Sequence, residues 1–217
     1  MGKRISEQQL LQNYNVLFQN IKKDTILATE LAEYGYDADT IAEGEALYNT
    51  LVEKYDTNKT ETAEETSAYA VFNQLFESTR AIYVTDRKKA KIVFKNQPDV
   101  LKNLQLTGLL SVRNAVVMDT MRLFYETLQN NPELLNAVQR LKITADHVAE
   151  QLIKVNNTQS AYATYIQEKG ESQQATKDKN KAFDDLAQWV NEFYSVAKIA
   201  LEDQPQLLES IAKWVRS

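Results

Sequence analysis

Two stretches of this chain place acids where they could hold a metal ion or move a proton. Asp39 and Glu43 stand in ADTIAE, and Asp146 and Glu150 stand in ADHVAE, each pair four residues apart. On a helix that spacing puts both carboxylates on one face. His147, the chain's one histidine, lies three residues before Glu150 and shares its face. Di-iron bundles use a Glu-x-x-His motif on each of two helices, with two further glutamates. Here the order is reversed, and Thr40 stands where a second histidine would be needed. Asp39, Glu43, His147 and Glu150 are therefore candidates for a metal or small-ligand site. The competing reading asks less of the sequence: acids in a first turn complement the positive end of a helix.

A second constellation is basic. Arg87, Lys88, Lys89, Lys91 and Lys95 crowd a short run that could grip the phosphates of a nucleic acid. The formal net charge is −5, so the chain as a whole exerts no pull on a polyanion. Charge is segregated along the sequence. From Glu30 to Glu77 there are 12 acids against Lys54 and Lys59, and from Arg80 to Lys102 there are 7 bases against Asp86 and Asp99. The basic run reads equally as a solvated face, or as one that meets the acidic stretch.

Other chemistries lack their parts. With no cysteine there is no thiolate nucleophile, disulfide or thiolate metal site. No Gly-rich phosphate loop and no nucleophile elbow occurs, and the single histidine leaves little for a Ser-His-Asp arrangement. No catalytic residues are assigned and no cofactor is expected, so a non-enzymatic role leads.

The elements that would carry these residues are helical. Apolar residues recur at helix period in Leu10, Tyr14, Leu17, Phe18 and Ile21, and in Leu75, Phe76, Thr79, Ile82 and Tyr83. The clearest stripe is Phe183, Leu186, Trp189, Val190, Phe193, Ala197, Ala200 and Leu201. No stretch alternates convincingly at strand period, and 5 Gly and 3 Pro leave few breakers. The prolines share one punctuation, NQPDVL at Pro98, NNPELL at Pro132 and DQPQLL at Pro205. Proline suits a first helical turn and pushes the residue before it out of the helix, so each marks a helical corner. Asp37 and Thr144 precede the two Ala-Asp runs as helix caps.

These signals come in pairs. Shifted by 107 positions without a gap, the chain matches itself at 19 of 110 positions, against roughly 7 for ordinary composition. AKIVFKNQPDVL from Ala90 meets AKIALEDQPQLL from Ala197. The shift also filters the candidates. Of the basic run only Lys91 keeps its charge, as Lys198, while Asp86 and Arg87 meet Phe193 and Tyr194.

The segment from 170 to 211 carries Ala175-Thr176-Lys177 and then Ala197-Lys198-Ile199-Ala200-Leu201-Glu202-Asp203-Gln204-Pro205-Gln206-Leu207-Leu208-Glu209. It resembles the tail of an uncharacterised family of bacterial all-helical proteins of unknown function. Many members carry Leu-Gly after that ending, where this chain has Ser210-Ile211-Ala212. The resemblance implies a helical, soluble, bacterial protein and carries over no functional residues.

The expected fold is all-α, an internally duplicated helical bundle with pseudo-twofold symmetry, long helices and Pro-marked corners. Residues 1–107 form the first repeat and 108–217 the second, packed together as one bundle. Each long segment is polar at its middle, and Thr62 with Glu65 at capping-box spacing and Gly170 favour breaks near 57–62 and 168–172, the alternative being a continuous, water-exposed helix about 85 Å long. No apolar run is long enough for a membrane span and no leader pattern opens the chain, so a cytoplasmic location is expected. The leading function is a helical interaction or scaffold protein whose partner is a protein or a second copy. The alternatives are nucleic-acid binding through the basic run, and ligand or metal binding between the repeats.

Overall fold

The computed structural model describes residues 5–212. Among the described residues there are eight helices and no strand. In order they are α1 (Glu7–Lys23), α2 (Thr25–Glu33), α3 (Ala38–Val93), α4 (Pro98–Asn103), α5 (Asn114–Asn130), α6 (Pro132–Gln139), α7 (Ala145–Ala200) and α8 (Leu207–Ser210). No helix of the described residues is long and apolar enough to cross a membrane.

The helix starts follow from side-chain caps. Ser6 accepts from the Gln9 amide at the head of α1. Asp24 ends α1 and starts α2, its Oδ1 accepting from Ile26 and Leu27, and Asn131 does the same between α5 and α6 through Glu133 and Leu134. Asp37 Oδ1 accepts from the Thr40 amide and Thr144 Oγ1 from the His147 amide, as the Ala-Asp runs predict. Each such cap supplies a partner for an amide that the first turn leaves free. Pro98 and Pro132 open α4 and α6, while Pro205 sits in a turn two residues ahead of α8.

The two long helices are unbroken, contrary to the breaks expected near 57–62 and 168–172. Each runs 56 residues. Thr62 is interior to α3, and its carbonyl accepts from the Thr66 hydroxyl, so the capping-box spacing goes unused. Gly170 costs the helix about 1 kcal/mol relative to alanine, too little to end it without proline or a competing cap. Pairs at i,i+4 such as Gln167 with Glu171 and Gln174 with Asp178 add support on the wet faces. What the polar middles do mark is where the cores stop.

The chain divides into two compact units there. Of the described residues, unit 1 comprises 5–61 and 172–212, and unit 2 comprises 62–171. Unit 1 thus holds α1, α2, the start of α3, the end of α7, and α8. Leu17, Phe18, Leu31, Leu51, Leu186 and Phe193 lie in its core. Trp189 stacks on Phe193 at 5.4 Å and lies over Gly44, where an added Cβ would meet the indole at 2.6 Å. Lys179 in α7 reaches Glu7 at 2.9 Å.

Unit 2 holds the end of α3, α4, α5, α6 and the start of α7. Phe72, Tyr83, Phe94, Met121, Phe124 and Val148 belong to its core. That core also encloses polar groups, among them Thr79 and Thr158, whose hydroxyls meet at 3.2 Å.

Candidate functional site

Two members of the charged run near the end of α3, Asp86 and Arg87, are interior to unit 2. Asp86 is 1% exposed. Its Oδ2 accepts from the Tyr125 hydroxyl of α5 at 2.9 Å and lies 2.6 Å from His147 Nε2 of α7. Its Oδ1 meets Lys89 Nζ at 3.2 Å, one turn along the same helix. Three polar groups from three helices therefore satisfy one buried carboxylate, which is what burial of that charge requires. Burial pushes the Tyr125 phenol far above its ordinary range, and the Asp86 charge adds to the rise. The histidine is oriented by the acid, with a partly exposed side chain. The arrangement pins α3, α5 and α7 together.

Arg87 is also buried. Its Nη1 donates to the Gln105 carbonyl at 2.5 Å, and its Nη2 to the carbonyls of Leu106 at 3.1 Å and Gly108 at 3.0 Å. A planar guanidinium has the several fixed donors needed to gather carbonyls from a turn. Gln105 is left-handed there, at φ 55°. Arg87 thus organises the loop that follows α4.

The five bases of the sequence reading separate accordingly. Lys88, Lys91 and Lys95 are exposed, Lys89 is half-buried on Asp86, and Arg87 belongs to the interior. The acids separate too. Asp39 and Glu43 are exposed in unit 1; Glu150, in unit 2, pairs with Lys154 at 2.6 Å, and that lysine holds its carboxyl below the usual range. Within neither unit do the described residues converge three His, Cys, Asp or Glu ligand atoms. The signal for the buried pair was present in the sequence: Asp86 and Arg87 stand opposite Phe193 and Tyr194 under the 107-residue shift. Phe193 is fully buried, and Tyr194 donates to the Ile211 carbonyl at 2.7 Å as Arg87 donates to its own loop.

An open site exists in unit 1. The end of α1, α2 and the first turns of α3 enclose a groove of about 650 Å³. Ile21, Tyr36 and Ile41 supply its apolar side chains, and Ala28, Ala32, Ala38 and Ala42 leave the space. Lys22 and Glu45 close one edge as an ion pair at 2.7 Å. Asp37 stands at another edge, its carboxyl lowered by hydrogen bonds from the Thr40 amide and hydroxyl. No family model, curated protein or solved structure matches this chain. The groove is of the size that takes a ligand or a partner's side chains, mostly apolar with few polar groups at its rim. Sequence reading missed it because surface alanines carry no chemistry. One signal lay in the 107-residue shift, which sets Leu135 against Ala28, Gln139 against Ala32 and Leu152 against Glu45.

Proposed function

We propose that this protein is a non-enzymatic, internally duplicated helical interaction protein that receives a partner's apolar side chains in the groove of unit 1. The groove carries the reading: it is an open apolar concavity, and two of its four lining alanines, Ala28 and Ala32, meet the larger Leu135 and Gln139 at the shifted positions, while Ala38 and Ala42 meet alanines. Apolar surface gains about 25 cal/mol per Å² when removed from water, so such a concavity favours a partner that covers it. The chain's most conspicuous charged groups support a binding role over catalysis, since Asp86 and Arg87 are engaged in holding helices and a loop.

Several observations support duplication. The first three helices of each proposed repeat begin at Glu7 and Asn114, Thr25 and Pro132, and Ala38 and Ala145, all at the same shift. Left-handed residues recur at that shift, Gly35 with Lys142 and Gln105 with Ala212. Duplication followed by divergence accounts for one copy with an alanine-lined groove and another with Leu135 and Gln139 at two of those positions.

The test is a titration with anilinonaphthalene sulfonate, an apolar dye that fluoresces when shielded from water. The wild-type chain gains fluorescence at a saturable site, and the variant carrying Ala28→Leu and Ala32→Gln loses most of it while keeping its helical circular dichroism. Equal dye binding by the folded variant removes the groove from consideration.

A further inference from the structure

Building on the groove reading, we infer that its occupant is the apolar loop of a second copy of this chain. Between α4 and α5 the sequence Thr107-Gly108-Leu109-Leu110-Ser111-Val112-Arg113 presents Leu109 at 99% and Val112 at 95% exposure. Val116, just inside α5, is exposed as well. An isolated exposed aliphatic residue is ordinary, but a run of them on one loop marks a contact surface.

The loop is held in place from below. Arg87 gathers the carbonyls of Gln105, Leu106 and Gly108, and Leu104 and Leu106 are buried in the core of unit 2. Gly108 takes φ 68°, a left-handed turn that glycine accepts without strain. The Ser111 hydroxyl accepts from the Arg113 amide. A loop already ordered loses less freedom on docking, so its two apolar tips contribute more of their burial to binding.

Charge selects the partner. Lys102 and Arg113 flank the tips and are exposed, and no acid occurs between Asp99 and Asp119. The groove's surroundings carry the opposite sign: Asp37 lines it, Glu33, Asp39 and Glu43 are exposed beside lining residues against the exposed Lys23, and the one lysine lining it, Lys22, is already paired with Glu45. A basic, apolar-tipped loop and an acidic-rimmed, alanine-lined groove are complementary in both respects. The two surfaces differ, so the contact is heterologous: it closes when reciprocal and otherwise propagates from copy to copy. One loop in one groove is a small interface, and the association is weak and concentration-dependent.

Sedimentation velocity across a concentration series tests this with two variants. L109D/V112D removes the loop's apolar tips at nearly fully exposed positions, and A28L/A32Q fills the groove. The wild-type chain gains mass with concentration, less so in high salt, and each variant alone stays monomeric. Mixed, the variants form two-chain complexes and nothing larger, because one supplies an intact groove and the other an intact loop. Where A28L/A32Q misfolds, Ala32→Arg at an exposed position replaces it. A wild-type chain that stays monomeric to millimolar concentration overturns the inference, as does a mixture that never pairs. Dye binding separates the two levels: a monomeric chain whose groove still takes the dye keeps the groove and loses the second copy, and one that binds neither loses both.

Discussion

Removing the carboxylate of Asp86 is the most informative perturbation of unit 2. In Asp86→Ala the Tyr125 hydroxyl, on a fully buried side chain, loses its acceptor. An orphaned buried hydroxyl costs about 1–3 kcal/mol. His147 and Lys89 keep part of their side chains in water, so they rehydrate and lose little beyond the bond itself, about 1 kcal/mol between them. The expected total is about 2–4 kcal/mol, overlapping the range for breaking a buried charged group's partnerships. Tyr125→Phe removes only one donor to the carboxylate and costs about 1.5–3 kcal/mol. The double variant has no orphaned hydroxyl, so it falls short of the sum by about 1–2 kcal/mol. Guanidinium denaturation followed by far-UV circular dichroism measures all three, using the transition of unit 2 if two are resolved. A loss below about 1 kcal/mol for Asp86→Ala, or additivity within about 0.5 kcal/mol, refutes a carboxylate clamp.

Other outcomes follow from local geometry. Thr25→Pro stabilises by about 0.4–1 kcal/mol in thermal or chemical unfolding, because Thr25 is the first residue of α2 and Asp24 before it is already extended, at φ −98° and ψ 102°. Asn131 before Pro132 shows that backbone at φ −128° and ψ 98°. Two glycine-to-alanine changes on the long helices have opposite signs. Gly170→Ala meets nothing and gains about 0.5–1 kcal/mol, whereas Gly44→Ala presses on Trp189 and costs about 1–3 kcal/mol. In alkali, burial holds the Tyr125 and Tyr194 phenols above their unfolded value of about 10. Their stabilising contribution is full below that pH and is lost as pH rises beyond it. Two of the chain's phenolates therefore appear in ultraviolet absorbance only together with loss of helix.

Periodicity made the helices legible. The stripe through Tyr14, Leu17, Phe18 and Ile21 is the buried face of α1, because a helix on a core exposes its pattern directly in the sequence. The caps at Asp37 and Thr144 were readable for a similar reason, being local. Continuity of the long helices was not readable: a polar helix interior and a polar loop share a composition, and only the absence of a strong breaker separates them. Asp86 and Arg87 misled in the other direction. Charged residues in a lysine-rich run look solvated, and burial depends on Tyr125, His147 and the loop carbonyls, all distant in sequence. The groove was least legible, since it consists of what alanine lacks.

The chain's lack of cysteine permits the most direct test of the groove. Thr29 lies exposed on its rim, and Thr29→Cys carries the only thiol to which an environment-sensitive fluorophore can attach. The labelled chain is held dilute and titrated with unlabelled wild-type chain. The emission is expected to shift to the blue and saturate as the second copy's Leu109 and Val112 cover the groove, and to stay unchanged when the titrant carries L109D/V112D. Unchanged emission at concentrations where the wild-type chain sediments as an assembly, or an equal shift with the altered loop, contradicts docking in this groove.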